Sequence, residues 1–206
     1  SAASNDRTGG YALSSTHKPG QPRRLRPKEA LEGVVRHMDD ALRDPTGVFR
    51  EPFEHLKAAK GKMLRARLGI QTALGEDGTV PASLPPRLAA VELLHLATLV
   101  HDDILDAADT RRGQPSLRAA FSDKTAVLAG DYLLTRCFSL CMPAPDELPA
   151  DAARYMELLS AAMARLCRGE MLQQKGRFNV NLTVREYLRI ISGKTGSLFA
   201  LAALTG

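Results

Sequence analysis

Three carboxylates, Asp102, Asp103 and Asp106, form a DDxxD cluster inside an otherwise apolar, helix-patterned segment, and Arg111 and Arg112 follow just beyond it. At helical spacing Asp102 and Asp106 share one face, where like charges cost roughly 0.2–0.5 kcal/mol. Clustered carboxylates suit a hard divalent cation such as Mg²⁺, which takes one or two of them and leaves the rest of its shell to phosphate oxygens and water. Guanidinium groups suit phosphate oxygens as well. Carboxylate, metal and arginine together point to a diphosphate substrate.

Other residues invite the same reading. In GKMLRARL, Lys62 and Arg65 are three apart and share a helix face, and Gly61 permits close approach of a ligand. Such charge pairs more often simply face water, and Arg67 has no special claim. Arg111 and Arg112 with Gly113 also read as a cationic helix end. Gly193-Lys194-Thr195-Gly196 resembles a phosphate loop in composition but lacks the GxxxxGK[ST] spacing, so a lysine near a helix kink is the plainer reading. His95 lies two turns before Asp102; a lone helical histidine is more often a core or surface residue than a ligand. His101 is ambiguous. No Ser or Cys has a supporting His at a recognisable spacing, which argues against nucleophilic catalysis.

These residues need helices to position them, and the composition supplies helix. Apolar residues make up 44% of the 206, dominated by Ala and Leu, while aromatics are 5%. That is enough for one domain with a real core. No β-patterned run is long enough to propose a sheet. Cys137, Cys141 and Cys167 are an odd number, which argues against a disulfide framework; Cys137 and Cys141 read as core residues, and no Cys/His spacing suits zinc. The net charge of +5 is dispersed, with little aromatic surface beside it, so nucleic acid is not the expected partner. No apolar run spans a bilayer. The expectation is a soluble protein of the cytoplasm or of an organelle stroma or matrix, at most peripheral to a membrane.

Residues 1–26 read as a flexible basic tail and 27–206 as the domain. Helices are predicted from Pro27, with Leu31, Val34, Val35 and Met38 at helical spacing; from about Phe53 to Leu74, with Gly61 inside or at a kink; from about Pro86 to Ala108; from Asp123 to before Met142; and over Asp151–Lys175 and Thr183–Leu204. Ser116 suits a cap, Thr183 with Glu186 has capping-box spacing, and 75–86 and 143–151 read as loops. The sum is an all-α bundle.

In order, GKxxR, ELLHLATLVHDDILD, RRGQPS, AVLAGDYLL, Gly-Glu-Met-Leu-Gln and KT before LF resemble the trans-isoprenyl diphosphate synthases over residues from about 28 to the end. The HDDxxDxxxxRRG core is the most specific part. The resemblance implies a helical bundle of the isoprenoid synthase type. It implies condensation of isopentenyl diphosphate with an allylic diphosphate, and a homodimer or a heteromer with a related subunit. Asp102, Asp103 and Asp106 would bind Mg²⁺ bridging to the allylic diphosphate, which Arg111 and Lys194 would contact, with Thr195 nearby. Lys62, Arg65, His95 and Arg112 would hold the diphosphate of isopentenyl diphosphate, with Gly61 allowing its approach. Gln173 stands where the family often has a polar helix residue. In this family a bulky aromatic near the positions of Ala97 or Thr98 closes the product tunnel early; both are small here, which implies a product longer than farnesyl.

The family's second aspartate-rich motif is not found: the last Asp is Asp151, and after Glu170 the only acid is Glu186. The chain therefore reads as the N-terminal two-thirds of the pattern, with an apolar side left unburied. It would be part of a longer enzyme, a subunit of a split one, or a non-catalytic regulatory or scaffolding subunit. Terpene cyclases share a DDxxD cluster but not the GKxxR and RRG pattern.

Overall fold

The structure is a computed structural model that describes residues 23–58, 61–142 and 149–206. Helix α1 (Pro27–Ala41) begins at a proline whose missing N–H costs nothing there, and the Arg26 N–H donates to Glu29 Oε2 at 2.8 Å. Ala30, Val34, Met38 and Ala41 form its buried stripe. Most of the expected tail, residues 1–22, lies outside the described residues, as does 143–148 of the expected loop. Within the tail's last residues, β1 (Arg24–Leu25) pairs antiparallel with β2 (Val80–Pro81), inside the segment read as a loop.

The helix expected from Phe53 to Leu74 is two helices, α2 (Arg50–Ala58) and α3 (Leu64–Thr72). Met63 sits between them in left-handed geometry (φ 52°), which no helix propagates through. Helix α4 (Leu84–Leu105) is the centre of the bundle and packs against α1, α3, α6 (Asp123–Leu140) and α9 (Ser197–Thr205). It is apolar nearly all round because it is covered nearly all round: Leu88, Ala89, Ala90, Val91, Leu93 and Ala97 are fully buried.

After α4 the chain makes a tight ribbon in place of a plain loop. β3 (Thr110–Arg111) pairs with β4 (Gln114–Pro115), and Arg112 and Gly113 at the turn both have positive φ (52° and 79°), as a type I′ hairpin requires. Ser116 caps the short α5 (Leu117–Ala120) by accepting from the Ala119 N–H.

Helix α7 (Pro149–Gly176) is followed by α8 (Val184–Ile191), which opens with the expected capping box: the Glu186 N–H donates to Thr183 Oγ1 at 3.2 Å, and the Thr183 N–H to Glu186 Oε2 at 2.9 Å. Between α8 and α9 the helix widens into a π-helical turn, Ser192–Gly196. Cys137 and Cys141 are buried and free, as read; Cys167 is exposed. Met171, Leu172, Val184, Tyr187, Leu188 and Ile191 leave an exposed apolar face along α7 and α8. No helix among the described residues is long and apolar enough to cross a membrane.

Candidate functional site

Five of the residues singled out in the sequence line a single cleft of about 390 Å³: Gly61, Lys62, Arg65, His95 and Arg112, with Glu92 at its wall. They come from three places, the α2–α3 junction, the middle of α4 and the hairpin turn. A Cβ on Gly61 would stand 3.2 Å from the Arg112 guanidinium, so a side chain there would crowd that group. The Arg65 side chain lies over the Phe199 ring at 4.8 Å, and its Nε is buried without a hydrogen bond to any described residue. Burial lowers the Arg65 pKa, Glu92 opposes that, and Arg112 adds to it. His95 is pushed down to about 4 by burial, then by the charges of Arg65, Arg112 and Arg111. It is therefore a neutral imidazole near pH 7, able to donate from one nitrogen. A cation-rich cleft with an unpartnered, buried guanidinium nitrogen fits a multiply charged oxyanion.

Arg65 and His95 also line a second cleft, of about 460 Å³, which carries Thr98, His101, Asp102, Glu170, Lys194 and Thr195. Here a backbone contact sets the geometry. A Cβ on Gly169 of α7 would lie 2.8 Å from the Lys194 backbone nitrogen, and one on Gly193 would lie 3.0 Å from the Gly169 Cα, so only glycines allow this approach. Across it, Lys194 Nζ stands 2.8 Å from Glu170 Oε2 and 3.4 Å from Asp102 Oδ2. Burial raises the Asp102 pKa against the pull of Lys194, and the nearby Glu170 and Asp106 raise it further. For Lys194, burial works against the charge, but the Glu170 hydrogen bond and the Asp102 and Glu170 carboxylates outweigh it, and its pKa rises.

The three aspartates do not act alike. Asp103 is 3% exposed and is paired with the hairpin: Arg111 Nε donates to both its oxygens at 2.9 Å and Arg111 Nη2 approaches Oδ1 to 2.7 Å. That bidentate pair, held by the hairpin, occupies both Asp103, expected at the metal, and Arg111, expected at the allylic diphosphate. Hydrogen bonding to Asp103, opposed by burial, raises the Arg111 pKa. Asp102 and Asp106 remain at the C-terminal end of α4, the negative end of its dipole, an unfavourable place for carboxylates unless a cation joins them. Among the described residues no three His, Cys, Asp or Glu side chains are grouped to hold a metal by themselves. Two carboxylates one turn apart do fit Mg²⁺ sharing its shell with phosphate and water.

A polyprenyl synthetase family profile matches residues 46–206. The chain belongs to the polyprenyl synthetase family. It is 34% identical over 176 residues to a geranylgeranyl diphosphate synthase of Methanosarcina mazei, covering 82% of this chain and 53% of the relative. It is also 34% identical over 177 residues to heptaprenyl diphosphate synthase component 2 of Geobacillus stearothermophilus, covering 85% of this chain and 53% of that one. Among solved structures, the polyprenyl synthase of Caulobacter crescentus, complexed with calcium and isoprenyl diphosphate, superimposes with a TM-score of 0.75 at 31% identity, over 86% of this chain and 52% of that chain. The all-α fold is therefore of the isoprenoid synthase type. The chain spans about half the length of the curated relatives it matches.

Sequence reasoning assigned no role to Glu92 or Glu170. A signal was available for both: Glu92 is an acid in an apolar helical run, three residues before His95, and Glu170 directly follows the small Gly169. Gln173, noted in the sequence, lines a neighbouring cleft with Asp106, Glu170 and Lys194.

Proposed function

We propose that this chain carries the diphosphate-binding part of a trans-prenyltransferase that condenses isopentenyl diphosphate with an allylic diphosphate. The observation that carries the reading is the pair of joined clefts: one cation-lined, one holding Asp102 and Lys194, with Arg65 and His95 common to both. Lys62, Arg65 and Arg112 bind the diphosphate of isopentenyl diphosphate as charged donors, and neutral His95 adds a hydrogen bond. Asp102 and Asp106 would hold Mg²⁺. Bound there, Mg²⁺ supplies charge neutralisation for the departing diphosphate.

Lys194 then supports the same charge from the other side, with Thr195 at the cleft's rim. Asp103 keeps Arg111 fixed near that diphosphate. The apolar walls, Leu99, Leu105 and Leu166, keep water from the cation-like allylic carbon. The isopentenyl double bond, held beside it, forms the new carbon–carbon bond, and a proton leaves to the released diphosphate. Thr98 at the wall leaves room for a growing chain and supports a product longer than farnesyl.

The relative named as a component 2 favours a working form in which this chain pairs with a related subunit rather than only with itself. The test is incubation with Mg²⁺, an allylic diphosphate and labelled isopentenyl diphosphate, alone and with candidate related subunits, beside calorimetry with inorganic pyrophosphate. Pyrophosphate binding and chain-extended product are expected. Bound pyrophosphate without product in any mixture points to a regulatory subunit; no pyrophosphate binding refutes the reading.

A further inference from the structure

The cation-lined cleft contains a buried acid. Glu92 is 6% exposed on α4, in the wall it shares with Arg65, His95 and Arg112. Simple electrostatics makes it a liability, since a carboxylate there repels an incoming diphosphate. Its hydrogen bond explains its presence. Glu92 Oε1 accepts from the Ala66 N–H at 3.0 Å. Ala66 is the third residue of α3, so this N–H is one of the donors left without a partner in the helix itself. The residue at the usual capping position, Met63, is left-handed and makes no side-chain cap. Glu92 therefore caps α3 from a different helix, with its charge at the favourable end of the α3 dipole.

Arg65, next to Ala66, is the group this capping places. Its Nε makes no hydrogen bond to any described residue, the Phe199 ring lies against its guanidinium, and Glu92 is the opposite charge that most supports its ionised form. His95 follows Glu92 by one turn on α4.

Resting on the anion-site reading above, we propose that Glu92 is a positioning residue: by capping α3 from α4 it fixes the distance between Arg65 and His95 and so builds the diphosphate site. The hydrogen bond does this work, and the negative charge offsets that of Arg65.

The proposal reverses the electrostatic expectation. Inorganic pyrophosphate is titrated calorimetrically, without Mg²⁺, into the full chain and its E92Q, E92A and E92D variants, and amide hydrogen exchange is followed at Ala66. E92Q keeps an acceptor oxygen at the same reach and should bind within about threefold of wild type with Ala66 still protected. E92A should lose about tenfold in affinity, together with the Ala66 protection. E92D, one methylene short, should fall between them and serves if E92A does not fold. If E92A or E92D binds pyrophosphate as tightly as wild type, or more tightly, the proposal is overturned. It is overturned equally if E92Q falls as far as E92A. Wild-type chain that does not bind pyrophosphate removes the anion site itself, a failure distinct from a wild type that binds and variants that bind alike.

Discussion

Replacing Gly169 by alanine tests the geometry that brings Lys194 to the acids. The new methyl would stand 2.8 Å from the Lys194 backbone nitrogen and 2.9 Å from the Gly193 carbonyl carbon. Non-bonded carbons settle at about 3.5–4.0 Å, so α7 and the π-helical turn must part by roughly 0.7 Å. Both obstacles are backbone, and no rotamer change relieves them. Gly193→Ala is milder, with its nearest neighbours at 3.0 and 3.2 Å, while Gly196→Ala, in the same turn, meets nothing closer than Ser192 Oγ at 3.8 Å. Overpacking of this kind costs about 1–3 kcal/mol. For a chain of this size each kcal/mol lowers Tm by about 2–4 °C. The separation also draws Lys194 Nζ out of its 2.8 Å contact with Glu170. A displacement of this order lowers turnover by up to about a hundredfold where placement matters. Thermal melts and the Mg²⁺-dependent condensation assay should therefore rank the variants Gly196→Ala, Gly193→Ala, Gly169→Ala from least to most damaged. A Gly169→Ala protein that melts and turns over like Gly196→Ala would refute the close approach as the determinant of Lys194.

His95 titrates near 4 in the folded chain, against about 6.5 unfolded. Between those values the unfolded chain binds more protons, so the His95 contribution is complete above pH 6.5 and is lost as pH falls toward 4, by about 1.4 kcal/mol per unit; urea melts across that window should show the slope, and His95→Gln should flatten it. Bound pyrophosphate, by offsetting Arg65 and Arg112, should raise the His95 pKa in an NMR titration. Asp103→Asn leaves Arg111 without its charge partner; because Arg111 retains 34% side-chain exposure, the loss should sit near or below the low end of the range for broken buried pairs, about 3 kcal/mol by urea unfolding, whereas Asp102→Asn should instead weaken Mg²⁺ binding measured by calorimetry. Thr98→Phe narrows the cleft wall beside Asp102 and should shorten the product seen by chromatography. An unchanged product places the length limit elsewhere.

What was legible in the sequence followed from local rules. The periodic apolar stripes of α1, α4, α6 and α7 fixed helix type, and Thr183 with Glu186 announced its own cap. Gly61 marked a possible kink, but the break at Met63 was not legible, because left-handed geometry at a methionine has no propensity signal. The hairpin at Arg112-Gly113 was hidden for a similar reason, since an arginine at positive φ is not a residue one reads as a turn former. At the site, the residue types alone left Lys62, Arg65, His95, Arg112 and Lys194 open; the family resemblance singled them out, and the fold places them along two adjoining clefts. The division among the aspartates was not legible. Spacing puts all three in one turn, and only the hairpin's return, delivering Arg111 to Asp103, separates that carboxylate from Asp102 and Asp106.

That separation gives α4 the role of a ruler. Glu92, His95, Asp102 and Asp106 are spaced by three, seven and four residues along the helix, and Asp103, close to Glu92 in helical angle, is taken up by Arg111 of the hairpin. From His95 to Asp102 the helix rises about 10 Å. Under the proposed reading, the diphosphate held at His95 and the one held at Asp102 are therefore kept apart by one continuous helix rather than by loops. Two strongly charged groups at that distance repel each other weakly once each is neutralised by its own cations, and under that reading the isopentenyl double bond meets the allylic carbon between them. A loop in this position would let the charges drift to whatever spacing their counterions favour. Helix α4 does not, because tilting it means repacking α1, α3, α6 and α9 together. Under the proposed reading core packing thus serves the chemistry: the residues with no chemical function of their own hold the two ends of the reaction at a fixed length.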